Sequence, residues 1–277
     1  MKQRTTFGSV VAAALGVAWG VVALAPLYFL VLGSLRSESS YLTANPWLPA
    51  GSVTLENYSV AMTGVGVAFR NSIIVTVAVC ALVIILAVPA AFAIVRGRGA
   101  GLRAVYWLLL AGLAIPVEGV IVAIFVLVVR LHLYDSLAGI ILPTTAFNLA
   151  ISVLILVAFL RDIPKSLFEA MDLEGAGRLR VLRSLVYPMA RPPLLGLGLF
   201  VTLGSWNSLL LPLVTTTSQS ESVLPVALLR LQGSDTANYP AILASVVVSA
   251  LPIMILYIIG RRQLIGGLTL GMGGFGR

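Results

Sequence analysis

Between Pro164 and Pro193 the chain reads P-K-S-L-F-E-A-M-D-L-E-G-A-G-R-L-R-V-L-R-S-L-V-Y-P-M-A-R-P-P. Its charged side chains, Lys165, Glu169, Asp172, Glu174, Arg178, Arg180, Arg183 and Arg191, stand in an otherwise apolar sequence. A long charged segment in an apolar chain suits recognition of another protein. The rest of the chain agrees. There is no G-x-x-x-x-G-K-[ST] phosphate loop, and neither Lys2 nor Lys165 follows a glycine. His132 is the only histidine, which makes a metal site improbable on ligand count alone. No Ser/His/Asp constellation is visible. Cys80 is the single cysteine, so an intrachain disulfide is excluded. A chain of this kind does no catalysis and binds no cofactor of its own, so any energy for work comes from a partner.

Four further residues carry polarity or a flat ring into apolar surroundings: Glu118, Asn148, Trp206 and Asn207. A carboxylate inside a membrane span is costly and faces a bundle interior or an aqueous cavity. Glu118 therefore reads either as a polar group on a solute path or as a carboxyl bonded to a neighbouring helix. Amides and an aromatic platform suit a neutral sugar, but Asn and Ser also bond helix to helix in membranes. Both readings stand for Asn148 and for the Trp206-Asn207 pair.

The elements that must position these residues follow from composition. Of the 277 residues, 59% are hydrophobic and 10% charged, against about 25% charged in soluble domains. Six apolar runs approach the ~20 residues that cross a bilayer: 10–32, 72–95, 104–129, 139–160, 194–214 and 241–260. Backbone groups in lipid must bond internally, so each run is expected to be a helix. Pro116 is expected to kink the third. The first run is too long for a cleaved signal peptide. The expected fold is all-α and polytopic, one transmembrane domain of six helices over residues 1–277 with a polar loop at 161–193.

The net charge is +8. With the N-terminus inside, 14 of the Lys and Arg residues fall on inside segments and four on outside ones. The positive-inside rule accounts for that bias. It places both termini in the cytoplasm and excludes nucleic acid as the partner, because the basic residues flank spans in four separate segments.

Within the polar loop, Ser166 and Glu169 stand in the spacing of a capping box. Leu167, Ala170, Met171 and Glu174 can share one helical face. Gly175 interrupts, a second helix over 179–186 follows, and Pro188 is expected to end it. This layout resembles the EAA loop of ABC-importer permeases, roughly E-A-A-x-x-D-G-A, then eleven residues, then Pro. Glu169, Ala170, Gly175, Ala176 and Pro188 match it. Met171 replaces an Ala, Glu174 an Asp, and Leu182 stands where an aromatic is common. The resemblance extends through Thr54-Leu55-Glu56-Asn57-Tyr58, Asn71-Ser72, Ala91-Phe92-Ala93 with Arg96, Ile163-Pro164, Trp206-Asn207, Leu224-Pro225-Val226 and Gly267-Leu268-Thr269 with Gly271. The set is similar to the carbohydrate, maltose-type subgroup of inner-membrane permeases.

The resemblance implies one half of a translocation pathway in a bacterial inner membrane. It implies a homologous second permease, two ATPase subunits carrying ATP and Mg, an extracytoplasmic solute-binding protein and surrounding membrane lipid. It implies that Glu169, Ala170, Glu174, Gly175, Ala176, Arg178, Arg180, Arg183 and Pro188 form the ATPase-facing coupling segment. A di- or oligosaccharide is the implied solute. A polyol or a glycerol phosphate ester is the alternative within the same machine. A stand-alone secondary transporter is a third reading, and one intramembrane carboxylate is scant support for it.

Overall fold

The computed structural model describes residues 7–49, 53–97, 99–232 and 238–272, with side chains described as far as Gly260. Lys2, Arg4, Arg98 and the end of the tail, which entered the charge count, lie outside the described residues. So do the side chains of Gly267-Leu268-Thr269. The described chain is helical: α1 Phe7–Ser34, α2 Glu38–Thr43, α3 Glu56–Arg96, α4 Ala100–Leu113, α5 Val117–Arg130 and α6 Leu137–Asp162. Then follow α7 Lys165–Leu173, α8 Arg178–Val181, a π-helical turn Leu182–Val186, α9 Tyr187–Met189, α10 Arg191–Trp206, α11 Leu210–Thr215, α12 Leu224–Gln232 and α13 Tyr239–Met272. Among the described residues four helices are long and apolar enough to span a membrane unbroken. The number reaches six when each of two bent pairs is counted as one span.

Those bent pairs are where the structure departs from the apolar runs. The run 104–129 is two helices, α4 and α5, meeting at 112°. The α4 end tightens, with Ala114 N–H donating to Ala111 O and Ile115 N–H to Gly112 O. Pro116 is extended (φ −69°, ψ 140°) and opens α5. A proline disfavours helical backbone in the residue before it and is at home at a helix start, so it ends one helix and begins the next. The expected kink is thus a full break. The run 194–214 is also divided, into α10 and α11, with Asn207 as the α10 C-cap. The run 72–95, by contrast, is the second half of α3, which starts at Glu56. Residues 56–71 lie outside that run and continue the same helix, because its hydrogen-bond ladder does not depend on hydropathy.

Two compact units make up the chain, Met1–Gly66 with Leu228–Leu251, and Val67–Ala227 with Pro252–Arg277. In the first, Asn57 is buried and donates from Nδ2 to Ser34 O (2.9 Å) and Arg36 O (2.7 Å). Ser34 Oγ and Tyr58 OH share a hydrogen bond of 2.8 Å. Arg36 is buried and donates to the carbonyls of Asn45 and Leu48. The T-L-E-N-Y segment is therefore a clasp on the chain that leaves α1.

The second unit is built on α3 and α6. Val75, Val79, Val83, Ala87 and Ala91 form a buried stripe along α3 at four-residue spacing. Val153, Leu156, Val157 and Leu160 do the same on α6. Small and β-branched side chains let membrane helices approach closely where hydrophobicity gives no preference between lipid and protein. Leu197 and Val201 of α10 complete this core, and α4, α10 and α11 all pack against α6.

The loops at the far end of this unit are fixed by hydrogen bonds to backbone. Asp135 (φ +56°) accepts at Oδ1 from Thr217 N (2.8 Å), Ser218 N (3.0 Å) and Ser218 Oγ (3.0 Å). Leu137 N donates to Glu221 Oε2. Asn71, 1% exposed, donates from Nδ2 to Ser220 O (2.7 Å) and Ser222 O (2.9 Å), and Ser72 Oγ accepts from Leu224 N (2.8 Å). Removing the Asn71 amide strands two carbonyls at a buried site, a loss of about 1–3 kcal/mol. Asn71→Ala is expected to lower the thermal unfolding midpoint of the detergent-purified protein. An unchanged midpoint would mean that the 216–223 loop is held by something else.

Candidate functional site

The polar segment after α6 folds as a helix, a glycine turn and a second helical stretch. Pro164, rather than Ser166, caps α7, and no side-chain cap bond is made. The capping box expected at Ser166 and Glu169 is absent because Ile163 and Pro164 stay extended (ψ 127° and 131°), so the helix begins at Lys165 and Ser166 falls inside its first turn. The inward face is also rotated from expectation. Phe168 is the buried residue of α7, at 3% exposure, with Met171 half-buried beside it. Leu167, Glu169, Ala170, Leu173 and Glu174 are exposed. Phe168 at one position and Met171 three later define a helical face as well as Leu167 and Ala170 do. The larger ring takes the core.

That ring is the anchor. Phe168 stacks on Phe92 of α3, centroids 6.4 Å apart, and the Arg96 guanidinium lies 4.6 Å above the Phe168 centroid. Arg96 Nη2 then donates to Asp172 Oδ2 at 3.3 Å. The pair is partly exposed, worth at most about 1 kcal/mol, but it sets the rotation of α7 about the end of α3. Residues of α3, α7 and the following turn enclose a cleft of about 510 Å³, with Arg96, Asp172 and Arg178 on its walls. Sequence reasoning had quoted Phe92 and Arg96 only as motif letters, and it passed over Phe168. The available signal was that Phe168 is the sole aromatic of the nine-residue helix.

The turn after α7 is a Schellman closure. Gly175 N donates to Asp172 O and Ala176 N to Met171 O, both at 3.0 Å. Gly175 has φ +70°, the left-handed conformation this closure requires at its second residue past the last helical one. Ala176 and Met171 pack against the core together, the apolar contact that accompanies such a cap.

The second stretch does not stop at Pro188. A π-helical turn over Leu182–Val186 precedes it, and α9 runs through Pro188 to Met189. A wider turn removes the clash between a proline ring and the carbonyl four residues back, so the proline is absorbed. The chain bends only where α10 begins, by 76°. Val181 and Val186 are buried, whereas Arg178, Arg180 and Arg183 are exposed. Among the described ion pairs none uses Glu169, Glu174, Arg178, Arg180 or Arg183. The segment therefore offers two acidic and three basic groups, with Leu173 at 90% exposure and Leu179 at 59%, on a scaffold fixed from beneath.

The other four candidates are not joined to one another by any described hydrogen bond. Glu118 is exposed in the first turn of α5, just past the break, where the helix dipole favours an anion. It was expected deep in a continuous span. The break puts it at a helix end. Asn148 donates from Nδ2 to Thr144 O on its own helix (2.8 Å). Trp206 is buried, edge-on to Phe69 at 5.7 Å. Asn207 is exposed at the α10 terminus and donates to Leu203 O (2.9 Å). Glu118 and Asn207 thus both stand, exposed, at interruptions of apolar helices.

Comparison with known proteins matches this architecture. The permease protein of the diacetylchitobiose uptake system NgcG of Streptomyces coelicolor is 32% identical over 262 residues, 93% of this chain and 86% of that protein. The permease protein MsmG of a multiple sugar-binding transport system of Streptococcus mutans is 28% identical over 91% of this chain and 92% of that one. The fold superposes with a TM-score of 0.80 on a chain of a bacterial ABC transporter involved in the import of the acidic polysaccharide alginate, at 22% identity, covering 92% of this chain and 95% of that one. Residues 84–264, from the middle of α3 into α13 and including the whole polar segment, match the family described as binding-protein-dependent transport system inner membrane component, and the chain belongs to that family.

Proposed function

We propose that the chain is the membrane-spanning permease subunit of an ATP-driven importer for a di- or oligosaccharide. The observation that carries the coupling part is the exposed face of α7 and the basic stretch behind it, without an ion pair among the described residues at Glu169, Glu174, Arg178, Arg180 or Arg183, yet fixed to α3 through Phe168 and Arg96. A rigid lever with free charges and an exposed leucine has the chemistry of a docking element. Glu169, Ala170, Glu174, Gly175, Ala176, Arg178, Arg180, Arg183 and Pro188 shape the surface that meets an ATPase subunit. ATP and Mg sit on that subunit, and its closure on ATP pushes α7, hence α3, and switches the pathway between outward and inward access.

The rest of the machine follows from this reading. A homologous second permease supplies the other half of the pathway, two ATPases sit on the cytoplasmic face, and a solute-binding protein delivers sugar at the loops held by Asp135 and Asn71. Both termini are cytoplasmic in the inner membrane. The sugar relatives support the solute class. Glu118 and Asn207 face the pathway at their helix breaks, while Asn148 and Trp206 shape its walls.

Two experiments test the reading. Co-purification of the intact complex in detergent is expected to bring down an ATPase, a second permease and a binding protein, and Glu169→Ala with Gly175→Val is expected to lose the ATPase. A wild-type chain that purifies alone and still moves solute in vesicles would sink the importer reading. The second uses the backbone at Gly175. No atom lies within 4 Å of the place where a Cβ would stand, so a substitution there strains the backbone alone, by about 1–2 kcal/mol for an L-residue and more for a β-branched one. Gly175→Val is expected to insert normally but to uncouple hydrolysis from uptake, cutting sugar uptake at least about tenfold for a strain of that size. Gly175→Asn, which tolerates the left-handed conformation, is expected to keep most of it. Equal uptake by Gly175→Val and wild type would remove the turn from the coupling mechanism.

A further inference from the structure

Beside the cleft at the end of α3, and sharing Gly97 and Leu102 with it, lies a second cavity of about 330 Å³. Its walls include Ile94, Leu102, Arg103, Tyr106 and Arg161. Arg103 comes from the first turn of α4 and Arg161 from the last turn of α6. The Arg161 guanidinium lies 5.5 Å from the Tyr106 ring centroid, which holds a long side chain in one orientation. Among the described ion pairs and hydrogen bonds, neither guanidinium has an anionic partner, and the nearest carboxylate in sequence, Asp162, does not line the cavity.

The surface around it is apolar and exposed. Val105, Trp107 and Leu108 are exposed on α4, and Trp107 packs edge-on to Tyr106 at 6.2 Å. A tryptophan and a tyrosine one turn from an arginine, at the start of an apolar helix, mark the depth at which headgroups lie. Two like charges converging on one cavity repel each other, and an anion between them relieves that repulsion. A guanidinium forks onto phosphate oxygens in bidentate fashion, and basic pockets between membrane helices at the cytoplasmic side hold anionic headgroups.

We infer that Arg103, Arg161 and Tyr106 form a binding site for a phosphate-bearing anion, and that a phospholipid with a net negative headgroup occupies it. The chemistry is shared by free phosphate, but the adjoining lipid-facing surface of α4 favours the lipid. The side on which the site lies rests on the orientation proposed above. The occupant would bear on the α3 end that also carries α7, because Ile94 stands two residues before Arg96 on the same helix.

The test uses the full-length protein in a non-ionic detergent and reads the thermal unfolding midpoint, which rises with any ligand that prefers the folded state. The probes are dioctanoyl phosphatidylglycerol, dioctanoyl phosphatidylcholine and sodium phosphate. A saturable rise is expected with phosphatidylglycerol and none with phosphatidylcholine. The half-saturating concentration is expected to increase at least about tenfold in R103Q/R161Q, on the scale of ~1 kcal/mol per basic residue, and R103K/R161K is expected to recover most of that loss. If the double glutamine variant does not fold, R161Q alone is read in the same way. A matching saturable rise with sodium phosphate, lost in the same variant, would uphold the anion site and assign it to a free phosphate group. An undiminished phosphatidylglycerol response in R103Q/R161Q, or an equal response to phosphatidylcholine, would overturn the site. No transport or ATP hydrolysis enters the readout, so failure here leaves the importer reading untouched and failure of that reading leaves this one standing.

Discussion

A nine-residue helix cannot hold itself in water, since nucleation costs more than a turn or two of hydrogen bonds returns. That α7 exists at all depends on Phe168, buried against Phe92 and covered by Arg96. The same contact makes α7 an extension of α3 rather than a loop attached to it. Because α3 is also the helix whose valine and alanine stripe meets α6 in the core, a displacement of α7 is passed to the packed centre of the second unit. Close-packed interiors do not deform continuously, so such a push shifts helices as bodies.

Helix ends do much of the remaining work. Proline is tolerated inside α1 at Pro26, α3 at Pro89, α6 at Pro143 and α13 at Pro252, yet Pro116 separates two helices by 112°. The ring and the missing N–H are the same in each case. The difference lies in whether neighbouring packing and local backbone adjustment re-satisfy the freed carbonyl. Pro188 illustrates the adjustment within one turn, where the π-helical stretch before it lets the helix pass through. The breaks place Glu118 in the first turn of α5 and Asn207 at the C-cap of α10.

The loops of the second unit before α6 and before α12 are tied by hydrogen bonds from side chains to backbone. Asp135, Asn71, Ser72 and Glu221 each bond to the backbone of another segment. A carboxylate that accepts three hydrogen bonds fixes the 216–218 turn against the start of α6 more sharply than an ion pair between two flexible side chains would. A pre-formed surface of this kind spends little entropy on meeting a partner.

Much of this was legible in the residues. Composition and the apolar runs determine an all-helical membrane protein. The spacing from Glu169 to Pro188 announces a helix, a glycine turn and a second helical stretch, which the folded chain has. The glycine at 175 could be read as a left-handed turn because glycine adopts φ +70° at the least cost. What the sequence did not contain was the outcome of competition. Whether Leu167 or Phe168 faces inward, whether a proline bends, breaks or is absorbed, and whether Arg36 is solvated or buried all depend on what the rest of the chain brings alongside. The same holds for Arg96 and Asp172, 76 residues apart and joined in the folded chain. Periodicity and spacing are local properties of a chain, and they determine helices and turns. Side-chain partners are decided by packing, which only the tertiary structure supplies.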